Sequence, residues 1–311
     1  MRADMTEAIS SYLFRAVSPV HVGLKMYSGF LVRGIFFRML RAANPELATS
    51  IHDMRALSPY SLSPLETVTG REIIYDMVPG GVAFQFRIAA LSKPVAETIQ
   101  KYFLRQEIAT VDLIGTRSFV KEVEIKTLPQ QTSVDANVEN AKFEVDFRSP
   151  TFFRSSQRVP KILSLLIPRR LRKPVKPIYR YVIVPDPYHF FRSLARLYRQ
   201  FCNPGFRYRS YCEWLLDGGV ALETYYGLRV MKLYDSVGRW SRGFVGKAVF
   251  TIPEDLFDKK MAQISLSLLE FARFSNVGGN RTAGFGVVDF RIRKADRVSG
   301  SDSPTNSVQS R

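Results

Sequence analysis

Ser275-Asn276-Val277-Gly278-Gly279-Asn280-Arg281-Thr282-Ala283-Gly284-Phe285-Gly286-Val287-Val288 is the stretch on which the reading of this chain turns. Four glycines and two asparagines fall between Asn276 and Gly286. Both residue types tolerate positive φ, and glycine lets a polymer approach the backbone closely. Successive exposed N–H groups in such a loop form an anion-binding concavity. Arg281 places a two-pronged phosphate donor at its centre. Gly278, Gly279, Asn280, Gly284 and Gly286 with Arg281 therefore read as a phosphate cradle. A tight structural turn is the alternative reading of the same glycines.

Outward from the loop, the pattern predicts regular elements on both sides. Glu254 to Phe274 carries Leu256, Met261, Ile264, Leu268, Leu269 and Phe271 at helical spacing, and Gly286 to Arg293 reads as a closing strand. Further back come strand-like runs at Ala221 to Tyr226, Arg229 to Tyr234 and Trp240 to Ile252. A helix from Tyr188 to Phe201 is opened by Pro185-Asp186-Pro187, and a strand from Ala141 to Phe153 is broken at Ser149-Pro150. The order is strand, helix, strands, helix, strand.

The first half repeats this order without evident sequence identity. Ile9 to Val17 is a strand and Tyr27 to Ala43 a helix with a broad apolar face. Asn44-Pro45-Glu46 starts a short helix to about Met54, with Asn44 as cap and Pro45 at its first position. Ser58 to Pro64 looks irregular. Ile73 to Val78 and Val82 to Leu91 form a hairpin about Pro79-Gly80-Gly81. A helix from Lys93 to Arg105 and an alternating strand from Phe119 to Thr127 complete the half. Strand, helix, strand, strand, helix, strand is the ferredoxin-like arrangement. The expected organisation is α+β: a ferredoxin-like unit over 1–128, a linker over 129–140, a second unit over 141–294 with the glycine loop before its last strand, and a disordered tail over 295–311.

Charge narrows the partner. The 311 residues carry 45 basic against 28 acidic side chains, a net charge of +17. Folding needs no such excess, so it points to a polyanion. No apolar run reaches the roughly 18 residues of a membrane span, and the acid-bearing N-terminus does not read as a signal peptide. Nucleic acid is thus the partner expected, and no membrane. Cys202 and Cys212 make neither a metal pair nor a disulfide framework, which suits a reducing cytoplasm. With only His21, His52 and His189, no metal or other cofactor is expected. The most basic stretch, Arg154 to Arg180, includes Arg158, Lys161, Arg169, Arg170, Arg172 and Lys173. It reads as an RNA-binding insertion or, more plainly, a solvated loop. Phe152, Phe153, Tyr179 and Tyr181 beside it can stack bases or fill core.

Three places resemble one known family, the CRISPR-associated repeat-RNA endoribonucleases (the Cas six family). The loop resembles that family's pattern of Gly, apolar, Gly, five residues, Gly, apolar, Gly, with Asn276 at the first glycine. Ala43 to Asp53 resembles the helix that carries the family's catalytic histidine. Phe147 to Arg154 and Pro185-Asp186-Pro187 resemble the opening of its second domain. The likeness spans about Ile9 to Arg293. It implies tandem ferredoxin-like (RRM-like, RAMP-type) domains and metal-independent cutting of CRISPR repeat RNA into guide RNA. The RNA's own 2′-hydroxyl would attack, leaving a 2′,3′-cyclic phosphate and a 5′-hydroxyl. It also implies other CRISPR effector subunits as possible partners.

Under this resemblance His52 is the proton-transfer residue; without it, His52 is a surface histidine complementing a helix C-terminus. The family pairs its histidine with a helix tyrosine and a following lysine. Phe37 stands at that tyrosine's place, no lysine lies between His52 and Tyr60, and Arg55 is the nearby cation for a phosphorane. Tyr27, three turns earlier on the helix, is the remaining hydroxyl. His21, in the loop before the first helix, is a candidate for a residue near the RNA, and His189 reads as structural. The competing functions are a non-catalytic RNA-binding subunit on the same fold and a generic basic RNA-binding protein.

Overall fold

The structure, a computed structural model, describes residues 9–54, 56–106, 109–128, 141–156 and 179–294. The expected linker, the tail, Arg55 and the cations Arg158, Lys161, Arg169, Arg170, Arg172 and Lys173 lie outside those residues.

The first half builds β1 (Ser10–Val17), β2 (Val22–Gly23), α1 (Ser28–Ala43), α2 (Pro45–Asp53), β3 (Tyr60–Leu62), β4 (Leu65–Thr67), β5 (Glu72–Ile73), β6 (Met77–Val78), β7 (Ala83–Ala90), α3 (Lys93–Leu104), β8 (Thr110–Leu113) and β9 (Thr116–Thr127). Its main sheet runs β5-β4-β7-β1-β9-β8, with β3 also on β7. Asn44 separates α1 from α2: its N–H bonds the Leu40 carbonyl, and its side chain accepts the Leu47 N–H at 3.0 Å. Such a cap is worth about 1 kcal/mol.

The second half adds β10 (Ala141–Thr151), β11 (Phe153–Ser156), β12 (Tyr179–Val182), α4 (Pro187–Phe201), α5 (Tyr208–Leu216), β13 (Ala221–Tyr234), β14 (Trp240–Thr251), α6 (Lys259–Ser275) and β15 (Val288–Lys294). Its sheet runs β13-β14-β10-β15. In the first sheet β1 lies between β7 and β9, with β4 outside β7; in the second β10 lies between β14 and β15, with β13 outside β14. This is the ferredoxin-like order the sequence predicts, present twice. Both sheets are antiparallel throughout, so one face of each can be packed and the other left open. No described helix is long and apolar enough to cross a membrane.

Three expectations change. Ser58 to Pro64 is not irregular: β3 and β4 are one strand interrupted at Ser63-Pro64, and they edge β7. Pro64 has no N–H to give the ladder, and the Ser63 hydroxyl accepts the Arg87 N–H at 2.8 Å across the break. Met77 and Val78 do not form a hairpin with β7; they pair with Val22 and Gly23. The helix α5 had no counterpart in the sequence reading. Tyr211 and Leu215 on its inner face are buried in the second core, and the Tyr211 hydroxyl bonds Ser265 of α6 at 2.7 Å.

Each sheet has its own apolar cluster. That of the first includes Phe14, Phe36, Phe84 and Phe86; that of the second includes Phe143, Phe190, Phe250 and Phe271. A third, smaller cluster joins them: Tyr27, Phe152, Leu233, Ala283 and Phe285. Two of these residues come from the glycine loop, so the loop packs where the halves meet.

Candidate nucleic-acid interface

The loop begins where α6 ends. Asn276 adopts φ +55 and is fully buried. Its Nδ2 donates to the Leu62 carbonyl at 2.7 Å and to the Phe285 carbonyl at 2.9 Å, and its Oδ1 accepts from the Arg87 guanidinium. Asparagine at the pattern's first glycine thus keeps the left-handed turn and adds bonds a glycine could not make. Arg87 and Ser61 also donate to the Phe274 carbonyl. The loop is thereby fastened to β3 and β7 of the other half.

This fastening revises the reading of the cradle. The Gly278 N–H is directed at Ser193 Oγ at 3.4 Å and the Gly279 N–H donates to the Phe152 carbonyl at 2.9 Å. The amides of Val277, Ala283, Phe285 and Gly286 are bonded to backbone carbonyls as well. The loop's N–H groups are largely spent on the protein. A Cβ on Gly279 would stand 2.3 Å from the Phe152 ring, and one on Gly278, at φ +71, would stand 2.2 Å from the Phe152 carbonyl oxygen. Gly284 and Gly286 are buried against Pro64 and Val277. The glycines serve close packing of the loop on its own chain.

Arg281 is corrected in the same way. It is 6% exposed, donating to the Ser275 carbonyl at 2.7 Å and the Ser58 carbonyl at 3.2 Å. Burial lowers its pKa to about 10, which still leaves it charged at neutral pH. The guanidinium ties the loop to the segment after α2, and Arg281 also lines the cleft described next.

Charge for a polyanion comes from side chains around the loop. A cleft of about 320 Å³ is lined by Gly278, Gly279 and Asn280 on one side and by Arg154, Arg192 and Arg196 on others. Ala56, Leu57 and Ser58 close it from the first half. Arg192 and Arg196 stand one turn apart on α4, and the sequence reading missed them. The available signal was their i, i+4 spacing opposite Phe190, Phe191, Leu194 and Leu197, which are buried. The helix is positioned by Asp186, whose carboxylate caps it by accepting the His189 N–H at 2.7 Å and also meets His189 Nδ1 at 2.6 Å. His189 is tied to its own helix cap and also lines the cleft. His21 lies in an exposed loop, where its Nδ1 accepts the Gly80 N–H at 3.2 Å.

His52 occupies the last turn of α2 with its side chain 59% exposed. Its Nδ1 is 3.0 Å from Asp53 Oδ1, and its ring meets Phe37 edge-on at 5.7 Å between centroids. Arg33, one turn earlier on α1, places its guanidinium 5.8 Å from the Phe37 ring centre. Phe37 also touches the buried ring of Tyr60, at 6.1 Å. Burial raises the Tyr60 pKa, while Arg33, Thr282 and Arg281 act on its hydroxyl in the opposite sense. A row of contacts therefore runs from His52 through Phe37 and Tyr60 to Thr282 in the loop.

Tyr27 does not join this row. It is fully buried at the start of α1, and its hydroxyl lies 2.8 Å from Glu72 Oε1 and 3.1 Å from the Gly284 carbonyl. The ten residues to Phe37 are about 15 Å of helix. Burial, then the nearby Glu72 carboxylate, holds its pKa well above the ordinary phenol value. It is a joint between the halves and is too far along α1 to assist His52. Among the described residues no group of three metal-ligating side chains gathers.

Two ferredoxin-like units in tandem, with a glycine loop packed at their junction, define the class of fold. Residues 145–288 match the family described as CRISPR-associated endoribonuclease Cas6, so the second half carries that family's sequence pattern. The fold of the whole agrees. A Cas6 product complex superimposes with a TM-score of 0.64 at 20% identity, covering 92% of this chain and 100% of that one. Thermus thermophilus Cas6 gives 0.57 at 18%, over 92% and 99%. A Cas6-related protein from Pyrococcus furiosus gives 0.53 at 11%, over 93% and 100%. The resemblance to the Cas six endoribonucleases drawn from the sequence is upheld. No curated protein matches the chain in sequence.

Proposed function

We propose that this chain binds CRISPR repeat RNA across the basic cleft and cuts the precursor transcript with His52, without a metal. The observation that carries this reading is the exposed His52 imidazole, oriented by Asp53 and connected through Phe37 and Tyr60 to the loop that lines the cleft. With Asp53 accepting from Nδ1–H, Nε2 is left as the basic nitrogen. It takes the proton of a 2′-hydroxyl; the freed oxygen attacks the adjacent phosphorus; the bond to the 5′ oxygen breaks. That oxygen takes a proton from water, since Phe37 offers none, and the imidazolium gives its proton to the hydroxide left behind. The products are a 2′,3′-cyclic phosphate and a 5′-hydroxyl. A positioned base contributes about 10²–10⁴-fold. Arg33 and Arg55 are the cations proposed to stabilise the phosphorane.

Arg154, Arg192 and Arg196 hold phosphates on either side of Asn280. The proposed division of the chain remains 1–128 and 141–294, joined by 129–140. The work is proposed to be done in the cytoplasm, alone or with other effector subunits. One matched structure is a Cas6 complex with a substrate mimic and another a Cas6 product complex, which supports a site for RNA on this fold.

A second reading is favoured by one contact. Beside His52 stands a phenylalanine, so the site lacks the hydroxyl that would protonate a leaving group. A non-catalytic RNA-binding subunit would need none. The two readings separate in one assay. Repeat RNA is incubated with the protein in EDTA, beside the same RNA with a single 2′-deoxy nucleotide at the cut. The enzyme cuts only the first, and His52→Ala abolishes cutting while binding persists. Tight binding with no cutting of either RNA refutes the enzyme and leaves the subunit.

A further inference from the structure

Sharing Arg154 and Asn280 with the Arg192–Arg196 cleft is a second cavity, of about 580 Å³. Its walls are the β11–β12 ladder and the start of β14. Tyr181 and Trp240 line it, and they are 63% and 54% exposed. Arg154, Arg180 and Arg242 line it too, and no carboxylate does among the described residues. Asn280 closes it from the loop and is held to β14 by a 3.2 Å bond from Nδ2 to Ser241 Oγ.

The arrangement is built rather than scattered. Arg154 and Tyr181 are cross-strand partners. Tyr181 rests edge-on against the buried Phe152 at 5.4 Å, which fixes its ring. Trp240 and Arg242, two apart on one strand, share a sheet face. Arg242 and Lys232 each lie 5.0 Å from a Trp240 ring centre. Arginines alone would suit any phosphate, and aromatics alone any apolar group. Together, beside a loop asparagine, they suit a nucleotide: ring on ring, phosphate on guanidinium. A paired base has both faces covered by its neighbours in the stack, so the occupant must be unpaired.

We infer that this cavity binds one unpaired nucleotide of an RNA strand, its base stacked on Trp240 beside Tyr181 and its phosphate held by Arg154, Arg180 or Arg242. The inference rests on the reading that RNA occupies the neighbouring cleft. It adds a single-strand pocket to it, so the protein grips RNA in two cavities that share Asn280.

Tryptophan fluorescence tests this directly. The chain has two tryptophans. Trp214 is held by a 3.0 Å bond to the Leu256 carbonyl and does not line the cavity, so Trp240 is the reporter. The probe is an eight-residue oligouridylate at low salt, compared with an abasic chain of the same length. Oligouridylate should quench the emission and bind about tenfold or more tighter than the abasic chain, in keeping with base–aromatic stacking. Trp240→Phe should lose the quench and keep most of the affinity. Tyr181→Ala and Trp240→Ala should erase the preference for the chain with bases.

Equal affinity of the wild type for both chains overturns the inference, and this arm does not depend on any variant folding. So does an unquenched emission on binding, or an equal loss for both chains in the alanine variants. Repeat RNA that is cut while oligouridylate gives no quench refutes the pocket alone. A quench with base preference, in a protein that cuts no repeat RNA, supports the pocket and refutes the cleavage reading.

Discussion

Replacing Asn276 with alanine tests whether the glycine loop is a fastening between the two halves. The side chain is buried and makes two donor bonds, to Leu62 and Phe285, and one acceptor bond, from Arg87. Alanine leaves two carbonyls without these donors and Arg87 with one acceptor fewer, at about 1–2 kcal/mol for each buried group. Asparagine already carries a Cβ at φ +55, so alanine adds no backbone term. The sum, roughly 3–6 kcal/mol, is a large share of the roughly 5–15 kcal/mol that stabilises a folded chain. Asn276→Gly loses the same bonds and removes the Cβ held at φ +55, so it should be about 1 kcal/mol less damaging. Urea unfolding followed by circular dichroism should order the proteins as wild type, glycine, alanine. The alanine variant should also show the halves melting in two steps. An alanine variant within about 1 kcal/mol of wild type, unfolding in one step, would refute the fastening.

Three further outcomes follow from the same geometry. Arg192→Ala with Arg196→Ala should weaken RNA binding and lower the slope of log affinity against log salt by up to about 1.4 for single-stranded RNA, with the melting temperature unchanged. Arg281→Ala should do the reverse: it leaves the Ser275 and Ser58 carbonyls unpaired, costs about 2–4 kcal/mol of stability, and leaves the salt slope alone. Glu72 sets a pH dependence, because burial raises its pKa from 4.5 to about 7. The folded state therefore holds that proton more tightly, and the contribution is complete below about pH 4.5 and lost as pH rises to about 7. Its ceiling is about 3 kcal/mol. Glu72→Gln should flatten this part of the stability curve; an equal wild-type–variant difference at about pH 5 and about pH 8 would count against it.

Both ferredoxin-like units were legible because their elements announce themselves locally. Asn44-Pro45 and Asp186-Pro187 carry cap and first-turn signals within a few residues, and β9 alternates from Val123 to Lys126. The second strand of the first unit was not legible. Pro64 interrupts it, and the repair is a hydroxyl from Ser63 reaching β7, which no local pattern encodes. The candidate site divides in the same way. His52 could be found from its segment, and the structure leaves it exposed. Arg281 could not be judged from its segment, because one carbonyl it meets belongs to Ser58, 223 residues away along the chain. A lone arginine among glycines looks like a ligand group until the distant acceptor is known. Tyr27 misled for a related reason: helical spacing gives the direction of a side chain and says nothing of Glu72 and Gly284 closing over it.

The loop is held by its bonds to both halves, so the arginines beside it add to the fold through ring contacts, Arg192 on Tyr188 and Arg242 on Trp240. Such a contact is worth about 0.5–1 kcal/mol at an exposed site, so Arg192, Arg196 and Arg242 can be exchanged one at a time at small cost. A lineage facing a new repeat sequence could redraw its RNA contacts on that rim while the seam beneath, Asn276 and Arg281, stayed as it is. Recognition could then drift quickly on an architecture that changes slowly.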